Sequence, residues 1–298
     1  MLTLAEAMAR GKTRVYETGN VSELSIENVG DDEVFVQAGD IVKGGKQDRV
    51  LTVSLLLPAK SGKMPIASFC VEQGRWTARG REDVGQFASS AAALPSREAK
   101  LAMKVVVNAG ANPGFAGQAS APNLRPAPSA QGRVWDSVAK TQEKLTRNVG
   151  APVAAAQSTT SMQLTLENEK LKATQADYAK ALADKGTNGD DIVGYVFAVN
   201  GKINSADLYP SNGLFRKMWT KNFDASVTEA LAGKGDGAGA APAIDAVLAF
   251  LDAAEAGKAS EKDITKLVKL ETREAVANFM FETRTNKGGY VHRNYLAK

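Results

Sequence analysis

Cysteine and histidine are almost missing from this chain: Cys70 and His292 stand alone among 298 residues. One cysteine closes no intramolecular disulfide and builds neither a C-x-x-C redox motif nor a cysteine zinc cage, and one histidine excludes a two-histidine metal centre. No metal and no cofactor is therefore expected. Long apolar runs are missing as well. The richest, from Ala243 to Ala254, is interrupted by Asp245 and Asp252 and is too short to span a bilayer, so no membrane partner is expected. Charge of one sign is not concentrated either, because 37 Lys and Arg are spread among 33 Asp and Glu, for a net +4 and a pI near 9.0. Without a basic block interleaved with aromatics, nucleic acid is not an expected partner. The opening LTLAEAMARGK has no basic n-region or apolar h-region, so no signal peptide is read. A chain trimmed of a leader would start the same way, and both cytoplasmic and exported locations remain compatible with it.

What is present is a 44% apolar composition, enough to bury a large core without disulfides or metals. One domain over 1–298 is expected, divisible into a β-rich part (1–107), a flexible loop (108–130) and a mixed helix and hairpin part (131–298). In the first part, Ser22–Ile26, Val34–Gln37, Val50–Leu57 and Pro65–Glu72 are separated by Gly, Asp, Pro and Lys, the spacing of strands and turns. Pro113, Pro122, Pro126 and Pro128 prevent regular pairing in the loop. Beyond it, Val134, Val138 and Leu145 mark one helical stripe, and Leu164, Leu171, Tyr178 and Leu182 another. Ile192–Val199 and Lys202–Leu208 flank Asn200-Gly201, the strongest hairpin signal in the chain, since both residues tolerate the positive φ of a type I′ turn. Gly233–Pro242 reads as a connector. Ile244, Val247, Leu248 and Leu251 then form a helical stripe, and Ile264, Leu267 and Val268 begin a further one. The fold class is α+β, with an antiparallel β-rich N-terminal part packed with helices and a second hairpin followed by a helical C-terminal part.

The stretch Gly39–Trp76 carries the chemistry. A turn at Pro58–Met64 pairs its flanking strands antiparallel about Ser61, placing Arg49 opposite Gln73 and Gln47 opposite Arg75. Side chains alternate along a strand, so these four share the core face with Leu51, Val53, Leu55, Ala67, Phe69 and Val71. Inward guanidiniums and amides cost several kcal/mol unless they are paired or bind something. Asp48, Glu72 and Asp40 are near enough to supply carboxylates, and Gly44-Gly45 permits a tight turn. Arginine forks and glutamine amides suit a small polar, anionic or polyhydroxyl ligand. The expected ligand-binding set is Lys46, Gln47, Arg49, Gln73, Arg75 and Trp76. An internal arginine-carboxylate network closing the end of a sheet has equal weight, and a one-residue slip of register would turn all four outward.

Catalytic candidates are Asp48 and Glu72 as general bases and Cys70 as nucleophile. Strand parity puts Cys70 on the face opposite Leu51, and a lone buried cysteine is more often a small packed residue than a nucleophile. His292, beside Gly288-Gly289 and Tyr290, reads as a hydrogen-bonding tail residue.

The strings AGDIVKGGKQDR and CVEQGRW resemble the signature of the family named for association with ADP-ribosylglycohydrolases and rhodanese-phosphatases, and the likeness continues through GYVFAVNGKINSADLYPSNGLFRKMW to GGYVHRNYL. It covers most of the chain. The resemblance implies a domain of unknown function with a functional association to ADP-ribosylglycohydrolase-type proteins. Three readings follow: a ligand-binding or sensor module for a small-molecule or nucleotide-derived ligand, a hydrolase or transferase with a carboxylate base and arginine support, or a structural or interaction protein.

Overall fold

The structure, a computed structural model, describes residues 1–108, 129–235, 237 and 239–298. The expected 108–130 loop therefore falls almost wholly outside the described residues. The first part runs β1 (Leu2–Thr3), α1 (Leu4–Ala9), β2 (Thr13–Glu17), β3 (Glu23–Asn28), β4 (Val34–Val36), β5 (Asp40–Gly44), β6 (Arg49–Leu51), β7 (Leu55–Leu57), β8 (Gly62–Cys70), β9 (Phe87–Ala93) and α2 (Arg97–Asn108). The second runs α3 (Ala130–Val149), α4 (Met162–Leu166), α5 (Glu169–Leu182), β10 (Gly194–Val199), β11 (Lys202–Leu208), α6 (Asn212–Ala232), α7 (Ile244–Glu255), β12 (Lys258–Thr265), β13 (Val268–Glu274), β14 (Asn278–Thr285) and β15 (Tyr290–Ala297). The fold is α+β. No helix among the described residues is long and apolar enough to cross a membrane.

The described residues form three sheets. One has the order β2-β3-β8-β6-β5-β9, a small one β1-β4-β7, and the third β10-β11-β15-β14-β13-β12. A first core joins Phe69 and Ile41 of the first sheet, with Val71 just beyond β8, to Val134, Val138, Phe215 and Phe223 of the helices. A second joins Val34, Leu55 and Leu57 to Phe279, Phe281 and Leu296 of the third sheet, so residues distant in sequence share both interiors.

Local chemistry sets the boundaries. Ser161 Oγ accepts the Leu164 N–H and starts α4, while Asn168 Oδ1 accepts the Lys170 and Leu171 N–H groups and starts α5. The single apolar stripe expected from Leu164 to Leu182 is thus cut in two by a capping asparagine. Asn200 (φ 52°) and Gly201 (φ 77°) form the expected two-residue turn, with Val199 opposite Lys202. The third sheet corrects the C-terminal reading. Ile264, Leu267 and Val268 are spaced as on a helix, yet Thr265 pairs with Val268 and they lie around a hairpin between β12 and β13. β12 is mostly exposed and charged, so it lacks the alternation by which a half-buried strand is recognised.

The hairpin at the candidate site also differs from expectation. β6 pairs with β8 as Arg49↔Cys70, Val50↔Phe69 and Leu51↔Ser68, three residues away from the expected register. Arg49 does not face Gln73, and Gln47 does not face Arg75. After Leu51 the chain leaves the first sheet, and β7 pairs with β4 instead. The physical reason is burial on both sides. Every residue from Arg49 to Leu55 is buried, so apolar alternation has no solvent face to fix the register. The start of β8 is held at the other end, where Ser61 Oγ accepts the Asn28 N–H.

Candidate functional site

The turn between β5 and β6 and the chain beyond β8 meet at the open end of the first sheet. Gly45 makes this approach possible: its φ is 54°, and a Cβ there would collide with the Phe87 ring. The Gln47 Nε2 donates to the Glu72 carbonyl (2.9 Å), and the Asp48 N–H donates to Glu72 Oε2 (2.9 Å). Asp48 and Glu72 are both fully buried.

Their charges are matched from the loop after Glu72. Arg79 forks onto Asp48, with Nη1 to Oδ2 at 2.8 Å and Nη2 to Oδ1 at 3.0 Å, and it also reaches Glu72 (3.3 Å) and Glu82 (3.0 Å). Arg75 Nε donates to Glu72 Oε1 (2.8 Å), and its terminal nitrogens donate to the carbonyls of Gly44 (3.1 Å), Gly45 (3.0 Å) and Thr77 (2.6 Å). Asp48 takes two further donors, the Gly44 N–H (2.9 Å) and Ser161 Oγ (2.7 Å) at the start of α4. Burial alone would raise the Glu72 carboxyl, but hydrogen bonds from Arg75, Ser158 and the Asp48 N–H hold it below the usual glutamate range. The same pairing holds the Arg79 guanidinium charged against the opposing effect of burial.

Arg49 belongs to a separate group on the other side of this network. It is fully buried, donates Nη1 to the Val21 carbonyl (2.9 Å), and places Nη2 3.3 Å from Glu17 Oε2. Nη1 also lies against Cys70 Sγ. Its Nε, buried, has no hydrogen-bond partner among the described residues. Register explains the contact: Arg49 and Cys70 are directly opposed across β6 and β8, so Cys70 shares the arginine's face, contrary to the parity reading. Burial pushes the Cys70 thiol up to about 11 despite the nearby guanidinium, which makes it a poor nucleophile. Trp76, 44% exposed, lies over this group, with the Arg49 guanidinium 5.8 Å and the Lys46 ammonium 5.0 Å from its ring centroid. Gln73 is exposed and attached through its backbone to Thr160.

The structure divides the residues expected at the site into two groups. Gln47, Asp48, Glu72 and Arg75 share one network, Lys46, Arg49, Cys70 and Trp76 another group, and Gln73 joins neither by its side chain. Arg79, Glu82, Glu17 and Ser161 were missed. Arg79 sits in a loop where no periodicity reports its direction, and the one hint is its place in the run Arg75-Trp-Thr-Ala-Arg79-Gly-Arg81 beside two acidic residues.

A second polar constellation lies between β7, β11 and β15. Ser54 Oγ is 2.9 Å from His292 Nδ1, His292 Nε2 is 3.0 Å from Asp207 Oδ1, and Tyr195 OH donates to Asp207 Oδ2 at 2.8 Å. Ser54 Oγ also accepts the Ala38 N–H, and the carboxylate of Asp207 accepts from the ring proton on Nε2. All three residues are buried, and the chain of bonds ties the small sheet to the third one. His292 is thus an interior connector rather than a tail residue, and it meets Ser54 and Asp207, not Cys70.

No curated protein and no solved structure showed significant similarity to the chain. The model of one family matches residues 1–296, nearly the whole length and including both signature strings of the site. The chain belongs to the ARG and Rhodanese-Phosphatase-superfamily-associated Protein domain family.

Proposed function

We propose that the chain is a ligand-binding module, and that it takes a small anionic, nucleotide-derived molecule on the face formed by Lys46 and Trp76, above the buried Arg49. One observation carries this reading: two cations lie over the same half-exposed indole, and among the described residues the one salt bridge either of them makes is that of Arg49 to Glu17. The Arg49 guanidinium beneath the indole adds positive charge behind this face, and its buried Nε has no acceptor among the described residues. A planar base stacking on Trp76 with its phosphate toward Lys46 fits that combination of π-face and cation. The family's recorded association with ADP-ribosylglycohydrolase-type proteins agrees with a ligand of this chemistry.

Asp48, Glu72, Arg75 and Arg79 serve this face as its scaffold. Their hydrogen-bonding capacity is taken up internally, which supports the structural reading for that half of the cluster and leaves a general base at Asp48 or Glu72 nothing to accept a proton with until the network opens. Calorimetric titration with ADP-ribose, AMP and inorganic phosphate tests the proposal. Binding of at least one of them, weakened tenfold or more in Lys46→Ala, is expected. No heat from any of the three, or equal affinity in the variant, would overturn it.

A further inference from the structure

Beneath α2, where β11 and α6 converge on it, lies a narrow cavity of about 20 Å³, lined by Lys100, Lys104, Tyr195, Asp207 and neighbours. That is enough for one water-sized occupant. Lys100 and Lys104 are one helical turn apart, so their ammonium groups enter from the same face of α2. Lys104 is only 5% exposed and, among the described residues, has neither a carboxylate nor a hydrogen-bond acceptor, only the Phe281 ring at 4.4 Å. The residues outside the described set hold one acidic side chain, Asp236, and the stretch following α2 holds none.

The rest of the lining offers the lysines little. Asp207 is the single carboxylate there, and His292, Asn294 and Tyr195 already donate to it. The amide oxygens of Gln37 and Asn222 are likewise taken, by Tyr209 OH (2.6 Å) and by Gln37 Nε2 (2.9 Å). Two positive groups, the half-buried Lys100 and the buried Lys104, therefore face one negative group, and for the buried ammonium that arrangement is expensive without a counter-ion. We infer that the cavity between Lys100, Lys104 and Asp207 binds a single small monovalent anion of halide size, distinct from the ligand face around Trp76. Burial first, and then the charge of Lys100, pushes the Lys104 ammonium down to about 8, and Asp207 opposes that shift; at neutral pH the site still carries its surplus charge.

The experiment uses the whole chain with bromide as the probe. Crystals soaked in sodium bromide should show an anomalous peak between Lys100 and Lys104. In solution, bromide should raise the melting temperature above that in sodium gluconate of equal ionic strength, since gluconate is too large to enter, and Lys104→Met should lose the increment. A cavity with no anomalous peak, holding only an ordered water, would overturn the inference, as would equal bromide increments in wild type and variant. The anomalous measurement is made on the wild-type chain and does not depend on how the variant folds.

Discussion

Arg79 holds both carboxylate oxygens of Asp48, at 2.8 and 3.0 Å, across 31 residues of sequence, and joins the turn before β6 to the loop after β8. Both side chains are buried, so the pair is as much a part of the interior as the apolar residues around it. Removing one partner strands the other charge, and that stranded charge decides the first prediction. Arg79→Ala should lose about 3–5 kcal/mol of stability, and Arg75→Ala should also destabilise because Glu72 is buried with it. Urea unfolding of both variants checks this. Wild-type midpoints would show that the network contributes nothing to folding.

Acid should open the same network. Glu72 is depressed in the folded chain relative to its ordinary value of 4.5, so the unfolded chain binds its proton first as pH falls. The stability it contributes is complete above that value and is lost as pH drops through the folded one. Glu72→Gln should flatten the fall in melting temperature below pH 4.5 compared with wild type. An unchanged slope would assign acid sensitivity to other carboxylates.

Cys70 should be inert in the folded chain. With its thiol pushed up to about 11, almost no thiolate exists at pH 8, and the side chain is fully buried. Labelling by a disulfide reagent at pH 8 should be slow until urea unfolds the chain. Rapid labelling of the native protein would revive the nucleophile reading.

The fold was legible where local signals are strong. Asn200-Gly201 needs positive φ at both turn positions, and that requirement is written in the residue types themselves. The stripe of Val134, Val138 and Leu145 likewise reports a helix with one buried face. The register of β6 was not legible, because Val50 to Leu55 is buried on both faces and alternation carries information only when one face is wet. The site suffered from the same ambiguity. Composition pointed to arginines and carboxylates at one sheet end, but pairing Arg75 with Glu72 and Arg79 with Asp48 depends on a loop without period. Ser54, His292 and Asp207 are 238 and 85 residues apart along their two bonds, a meeting that only the tertiary fold creates.

The division of the cluster into a scaffold and a recognition face is tested most directly by measuring affinity and stability on the same four variants. Trp76→Ala and Lys46→Ala should lose tenfold or more in ADP-ribose affinity, about 1.4 kcal/mol or more each, while their melting temperatures stay near wild type. Arg75→Ala and Arg79→Ala should instead melt markedly lower. Should Trp76→Ala and Lys46→Ala bind as wild type does, or should all four variants fall together in stability, the cluster would be one structural unit and the recognition face would not exist.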